Sequence, residues 1–150
     1  MGWPYSSRLY LSLRFKKEKI TIHNQNDLKS FRIVGILKDS HAQRILNSGI
    51  KLKQVPKFNK MPEILIKDQA DLFVYGDAST PWRIKNSRHD PKQFEVVYRF
   101  KRPSMAYFAF NKSTPDAIFN TFKKAFEKTM ANKEKIQNIY MKYGIDINQQ

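Results

Sequence analysis

The stretch FRIVGILKDSHAQRILNSGI, residues 31–50, decides how the chain folds. It begins with a short, almost wholly apolar run, which is typical of a strand buried on both faces of a sheet. Small polar residues follow and open an amphipathic helix over about 40–48, with Ala42, Ile45 and Leu46 facing inward. Gly49 stands where a residue in the left-handed conformation ends a helix. The stretch therefore predicts a strand, a tight turn and a helix, in that order.

Strand and helix patterns continue to alternate as far as Phe100. The predicted strands cover 50–55, 70–76 and 94–100, and the predicted helices cover 61–69 and 79–89. Strands that alternate with helices indicate an open, mainly parallel α/β sheet flanked by helices. Residues 8–15 and 104–110 add two strands, and Thr114-Pro115-Asp116 begins a pair of C-terminal helices. The predicted fold class is α/β with a C-terminal helical pair.

The composition permits a core but selects no partner. The chain has 150 residues, of which 41% are hydrophobic and 13% aromatic, as in globular domains. The formal net charge of +15 permits binding to nucleic acid, anionic lipid or acidic ligands, but the lysines are scattered and form no long block, which favours a solvated surface. The absence of cysteine excludes disulfides and thiol chemistry. The apolar runs are too short for a membrane helix, and the N-terminus does not have the pattern of a secretory signal.

The sequence contains no familiar catalytic or metal-binding motif. G-x-S-x-G, the P-loop, G-x-G-x-x-G and H-E-x-x-H are all missing. His23, His41 and His89 lie far apart, without the spacing of metal ligands. We therefore expect a protein that is not an enzyme and that uses no cofactor or metal. An enzyme ranks last among the alternatives, because no acid–base pair is evident.

Candidate binding residues lie in the turns that follow two predicted buried strands. Ligands of parallel α/β sheets bind outside the carboxyl ends of the strands. In the first turn, Asp39, Ser40 and His41 open a helix whose N–H groups and dipole favour an anion. In the second turn, Asp77 follows Gly76 and supplies a carboxylate for a ligand ammonium group. For both turns the alternative is simple helix capping, and Asp39 itself works against an anion because it places a carboxylate where the anion would lie.

Three longer patterns span most of the chain. They are NDLKSFRIVGILKDSHAQRIL at 26–46, VPKFNKMPEILIKDQADLFVYGD at 55–77 and AYFAFNKSTPDAIFNTFKKAFEKTMANKEKIQNIYMKYGI at 106–145. In this order they resemble the motifs of the amino-acid-type (family 3) periplasmic solute-binding proteins of ABC transporters. The last pattern is most similar to divergent proteobacterial members.

The resemblance implies a two-lobed, hinged receptor that captures a small polar, amino-acid-like ligand by closing its lobes. Residues 17–102 would form lobe two. Residues 1–16 and 103–150 would form the hinge strands and C-terminal helices of an incomplete lobe one, whose front part is missing. The resemblance also implies a periplasmic location, with no signal peptide present in this chain, and an ABC transporter membrane component as partner. It implies no specific nucleic acid partner.

The predicted ligand-binding residues are Asp39, Ser40, His41, Gly76, Asp77 and Trp82. The first three lie in the turn to which the resemblance assigns the ligand's anionic group. The family's ammonium-binding carboxylate stands at the position of Gly76 in this sequence. Asp77 follows one position later and is assigned that role. Trp82 is assigned to a wall of the pocket.

Two alternatives remain open. In the first alternative, the chain is a basic protein that binds nucleic acid or anionic membranes. Its affinity for that partner would fall steeply with added salt. If lobe one is incomplete, the aromatic stripes of the C-terminal helices fold back onto the lobe, pair with another copy or remain exposed as an apolar patch. The second of these outcomes is a homodimer through the C-terminal helices.

Overall fold

The computed structural model describes residues 2–7, 9–13, 20–76, 79–100 and 104–143. Its strands are β1 (Gly2–Ser7), β2 (Leu9–Leu13), β3 (Ile33–Ile36), β4 (Lys53–Val55), β5 (Leu72–Gly76), β6 (Glu95–Arg99) and β7 (Ser104–Tyr107). Its α-helices are α1 (Ser40–Asn47), α2 (Lys60–Ile66), α3 (Thr80–Asn86), α4 (Asp116–Ala131) and α5 (Lys133–Lys142). Short 3-10 helices cover Gln25–Ser30 and Pro91–Gln93. The chain divides into two compact units, one of residues 6–104 and one of residues 1–5 with 105–150.

The larger unit is built on a five-stranded sheet with the strand order β4-β3-β5-β2-β6. β3 pairs in parallel with both β4 and β5. β2 is antiparallel to both of its neighbours and places Leu11 opposite Val74 of β5 and Tyr98 of β6. The sheet is therefore open and mainly parallel, and the predicted fold class is confirmed.

The central strands β3 and β5 are buried on both faces of the sheet, as their apolar runs predict. On one face, Ile33 and Leu72 pack with Ile45 of α1. On the other face, Val34 and Phe73 pack with side chains of α2 and α3. Alternate residues of the same strand thus enter two different cores, which fixes the direction of every side chain along β5.

The helix α1 begins and ends where the sequence predicts. Asp39 is its N-cap residue. Gly49 follows the helix with a φ of 74°, in the left-handed region. The N–H of Ile50 donates to the Ile45 carbonyl at 3.3 Å and closes the C-terminal turn. These two ends fix the register of α1, and hence the position of its first turn above the sheet.

The smaller unit contains a two-stranded sheet of β1 and β7, followed by α4 and α5. β1 is not apparent from the sequence, because its Pro4 argues against a strand and its partner lies far along the chain. Five phenylalanine rings interlock beside α4 at centroid distances from 5.0 to 6.2 Å: Phe108, Phe110, Phe119, Phe122 and Phe126. Neither helix has a buried residue over its described length. The assignment of 17–102 to lobe two, and of 1–16 and 103–150 to lobe one, stays a prediction.

Candidate functional site

The turns that follow β3 and β5 lie at the same edge of the sheet. The two strands are parallel neighbours, with Ile33 opposite Leu72 and Val34 opposite Phe73. Their carboxyl ends therefore open on one side, which is where parallel α/β sheets bind ligands. The ring of His41, from the first turn, lies 6.1 Å from the ring of Tyr75, near the end of β5. The structure thus brings the two predicted regions together.

Asp39 caps α1 with its own side chain. Its Oδ1 accepts hydrogen bonds from the backbone N–H groups of His41 at 2.9 Å and Ala42 at 3.3 Å. The Nδ1 of His41 lies 3.1 Å from the same oxygen. Lys38, with a left-handed φ of 60°, reverses the chain just before this cap. The N-terminus of α1 therefore already carries a carboxylate of this chain, and the capping alternative holds for Asp39.

The Asp39 carboxylate is ionised in this position. Burial raises the pKa of the group, but hydrogen bonds from His41 and Ala42 and the charge of His41 outweigh burial and hold the pKa below its ordinary value. The side chains of His41 and Asp39 are 13% and 21% exposed. Within the described residues, the Nε2 of His41 is buried and has no hydrogen-bond partner. The first turn thus presents a partly exposed anion beside an imidazole with an unused nitrogen.

On the β5 side, Tyr75 packs against an aromatic ring and a guanidinium group. The Phe58 ring meets it edge to face, with the centroids 4.9 Å apart. The Cζ of Arg83, on α3, lies 5.2 Å from the Tyr75 centroid and 5.7 Å from the Phe58 centroid. This geometry is that of cation–π contacts. In the part of the chain that the structure describes, Arg83 has no ion pair, and its Nε is buried without an acceptor.

The pKa of the Tyr75 hydroxyl is shifted by the charges of Asp39 and Arg83. Burial raises the pKa of Tyr75, and the Asp39 carboxylate raises it further. The Arg83 guanidinium and a hydrogen bond with Ser79 act in the opposite direction, and the pKa remains above its ordinary value. We name the strand-end cluster as the set of Asp39, His41, Phe58, Tyr75 and Arg83. It places the Asp39 carboxylate, with His41 beside it, and the Arg83 guanidinium around a single aromatic ring.

The remaining predicted site residues have different surroundings. Ser40 is the first residue of α1 and is exposed. Gly76 is buried, and its carbonyl accepts a hydrogen bond from the Thr80 hydroxyl at 2.8 Å. Asp77 lies outside the described residues. Trp82 is 42% exposed on α3. The ligand-binding roles of all of these residues stay predictions.

Tyr75, Arg83 and Phe58 are not among the site residues predicted from the sequence. Tyr75 carries a usable signal, because a hydroxyl-bearing ring near the carboxyl end of a buried strand lies where α/β sheets bind ligands. Arg83 stands next to the chosen Trp82, but a rotation of about 100° per residue directs neighbouring helical side chains to different sides. Phe58 lies in the loop before α2 and offers no signal of its own.

The described ranges contain no group of histidine, cysteine, aspartate or glutamate side chains that could hold a metal ion. In the same ranges, no helix is long and apolar enough to cross a membrane.

Comparison with known proteins finds similar solved structures. No protein-family model matches the chain, and no curated protein sequence matches it. The GluR0 ligand-binding core from Nostoc punctiforme, solved with L-glutamate, has a TM-score of 0.72 at 18% identity, covering 92% of this chain and 61% of its own. An ancestral arginine-binding protein bound to arginine has a TM-score of 0.66 at 18% identity, covering 93% of this chain and 61% of its own.

An ancestral arginine-binding protein bound to glutamine has a TM-score of 0.64 at 17% identity, covering 93% of this chain and 60% of its own. A second substrate-binding domain, named for an amino acid ABC transporter of Streptococcus pneumoniae, has a TM-score of 0.63 at 16% identity, covering 93% of this chain and 62% of its own. This chain thus spans about 60% of the length of these neighbours. Identities this low show the fold alone, and the fold is the one shared by these arginine-binding, substrate-binding and ligand-binding domains.

Proposed function

We propose that this chain is a non-enzymatic solute-binding domain that captures a small polar, amino-acid-like ligand at the strand-end cluster. The observation that carries the proposal is the meeting of His41 and Arg83 around Tyr75 at the carboxyl edge of the sheet. The neighbours support it, since the GluR0 core was solved with L-glutamate and ancestral arginine-binding proteins with arginine and with glutamine.

The chemistry of the cluster suits a small zwitterion. An amino acid presents an ammonium group and a carboxylate, and each is bound best by a charge-assisted hydrogen bond to a group of opposite sign. Asp39 and Arg83 supply the two signs, and the rings of Tyr75 and Phe58 supply an apolar wall. Small-molecule sites commonly combine an apolar wall with a few placed polar groups.

The proposal also includes lobe closure, transport and a cellular location. We propose that the larger unit acts as lobe two, that residues 1–16 and 103–150 contribute to lobe one, and that the lobes close on the ligand. We propose a periplasmic location and delivery of the ligand to an ABC transporter membrane component. The likeness of the fold to a substrate-binding domain named for such a transporter supports this part.

A homodimer through the C-terminal helices is also proposed. Large apolar side chains on the smaller unit are exposed, among them Tyr107 at 66%, Ile118 at 58% and Met141 at 60%. Exposed apolar groups of this size favour association when they are contiguous. A second copy that covers them would remove apolar area from water.

Isothermal titration of the full chain with L-arginine, L-glutamine and L-glutamate tests the proposed function. We expect saturable binding of at least one of them, and loss of that binding in Tyr75→Ala. The control is Lys51→Ala, which removes an exposed side chain between α1 and β4 and should leave binding unchanged. Absence of saturable heat with all three amino acids at millimolar concentrations would contradict the proposal.

A further inference from the structure

The charges of the strand-end cluster indicate which end of the ligand each turn receives. This inference rests on the proposed function and deepens it. The sequence pattern assigns the ligand's anionic group to the first turn, at Asp39, Ser40 and His41. That assignment requires free N–H groups at the N-terminus of α1.

Two of those N–H groups are already occupied. Asp39 Oδ1 accepts from the backbone of His41 and Ala42, and it also lies 3.1 Å from His41 Nδ1. A ligand carboxylate placed there would have to displace Asp39 or stand next to a like charge. Like charges at a few ångströms repel in any protein dielectric. The first turn is therefore unsuited to an anion.

The same geometry suits a cation. All three contacts of the Asp39 carboxylate use Oδ1, and within the described residues none uses Oδ2. The side chain is 21% exposed, so the unused oxygen belongs to a carboxylate that is not sealed from solvent. An ammonium group is a compact donor that pairs readily with such an oxygen.

The complementary charge is that of Arg83, which lies 5.2 Å from the Tyr75 ring centroid. Arg83 has no ion pair among the described residues, and its Nε–H is buried without an acceptor. A buried donor without a partner costs free energy, and such groups call for an explanation. The guanidinium lies against the Tyr75 and Phe58 rings, which position it. Arginine is well suited to binding a carboxylate in this state.

We propose that the ligand's ammonium group binds the Asp39 carboxylate and that its carboxylate binds the Arg83 guanidinium, with the ligand lying along the Tyr75 ring. The ligand's ammonium group then lies at the first turn, where the sequence pattern assigns its carboxylate. The ligand class is an α-amino acid held at both ends.

The test uses the full chain and one matched set of probes. The set is the tightest-binding of L-arginine, L-glutamine and L-glutamate, with its decarboxylated amine and its deaminated acid. The side chain is constant across the set, so that only the two α-substituents change. Asp39→Asn should weaken binding of the amino acid and the amine roughly tenfold or more, with little effect on the acid. Arg83→Gln should weaken the amino acid and the acid to a similar degree and spare the amine.

The variants are chosen to separate charge from folding. Asparagine keeps the capping oxygen that α1 needs, so Asp39→Asn changes charge more than structure. Asp90→Asn is its control, because Asp90 caps the helix Pro91–Gln93 through the Lys92 N–H in the same manner. Arg88→Gln is the control for Arg83, because it removes an exposed positive charge from the turn after α3. Both controls should bind all three probes as the unchanged chain does.

The outcomes separate the two levels of the proposal. If the unchanged chain binds none of the three amino acids, the proposed function fails, and the charge assignment fails with it. If it binds, but Asp39→Asn strengthens the acid or Arg83→Gln weakens the amine, only the charge assignment is overturned. Equal effects of each variant on all three probes would also overturn it.

Discussion

Arg32 and Asp71 are joined through both the main chain and the side chain. The Arg32 backbone N–H donates to Asp71 Oδ2 at 2.7 Å, and Nη2 donates to Asp71 Oδ1 at 2.6 Å. Nη2 also donates to Asp68 Oδ1 at 2.8 Å. Arg32 directly precedes β3 and Asp71 directly precedes β5, so the pair fastens the amino ends of the two strands. The strand-end cluster lies at the opposite, carboxyl end of the same strands.

Replacement of Asp71 by asparagine should make stability less dependent on pH. Burial raises the pKa of Asp71, but the hydrogen bonds and charge of Arg32 outweigh burial and hold the pKa below its ordinary value. A depressed carboxyl pKa contributes stability above the unfolded value of about 4, and this contribution is lost as the pH falls through the folded value. Asp71→Asn should therefore lower the Tm at neutral pH.

The difference in Tm between the two proteins should shrink as the pH falls from neutral to about 2, because both then lack the charge. Thermal unfolding followed by circular dichroism across this range measures it. Glu95→Gln, which removes an exposed carboxylate of β6, is the control and should change the Tm little at any pH. A Tm difference that stays constant with pH would argue against this role for Asp71.

A side chain at Gly35 should disturb both stability and the site. A Cβ there would lie 3.0 Å from the Ala42 Cβ and 3.1 Å from the Val74 Cγ1, so α1 would have to move away from the sheet. We expect Gly35→Ala to lower the free energy of unfolding by about 1–3 kcal/mol, as overpacked cores do. Because Asp39 lies at the start of α1, ligand affinity should fall as well.

Gly49→Ala provides the comparison, because a Cβ at Gly49 would have no neighbour within 4 Å. Its φ of 74° still disfavours alanine, and the cost should be about 1 kcal/mol from the backbone alone. Urea unfolding measures both costs, and titration measures affinity. If Gly35→Ala is as stable as the unchanged chain, close packing of α1 at this residue is wrong.

The titration of Tyr75 offers a test of the cluster that needs no ligand. Arg83 lowers the pKa of Tyr75 and Asp39 raises it, in both cases through charge. Arg83→Gln should therefore raise the Tyr75 pKa, and Asp39→Asn should lower it. Carbon NMR of the tyrosine ring follows the change across the alkaline range. If neither variant changes the Tyr75 pKa, the Asp39 and Arg83 charges do not interact with this hydroxyl, and the described cluster is wrong.

Self-association should depend on the smaller unit. Ile118→Ser with Met141→Ser removes two of its exposed apolar side chains, which are 58% and 60% exposed. We expect the unchanged chain to sediment as a dimer and the double variant as a monomer. Leu37→Ser is the matched control, because Leu37 is 49% exposed but lies in the larger unit. A monomeric unchanged chain, or a double variant that still dimerises, would contradict the proposed homodimer.

Helices and strands of the larger unit were predictable where they depend on residues close together in sequence. The apolar run before Lys38, the cap at Asp39 and the left-handed Gly49 all lie within one short stretch, and each depends on near neighbours in sequence. The position of β2 was not predictable in this way. Its place between β5 and β6 depends on pairing with Val74 and Tyr98, which are far away in the chain.

The position of the candidate site was predictable from the sequence. Which charged group of the ligand each part of the site binds was not. Parallel strands that alternate with helices are enough to place both turns at the carboxyl edge. The sequence also offers Asp39 as a cap, which would place a carboxylate where a ligand anion would lie, but only the structure shows its hydrogen bonds from His41 and Ala42. The contact of Arg83 with Tyr75 depends on the direction of one side chain on α3 and on the packing of Phe58. These are tertiary contacts, and local patterns do not specify them.

The claim that both turns grip one small molecule is tested most directly by amide chemical-shift mapping of the isotope-labelled full chain. The titrant is the tightest-binding of L-arginine, L-glutamine and L-glutamate. We predict that the largest shifts fall together, in one saturable process, on residues 37–42 and on residues 73–76 and 79–84. The amides of Arg32 and Asp71, at the other end of the strands, should hardly move. Shifts confined to one turn, to the amino edge of the sheet or to the C-terminal helices would contradict the account.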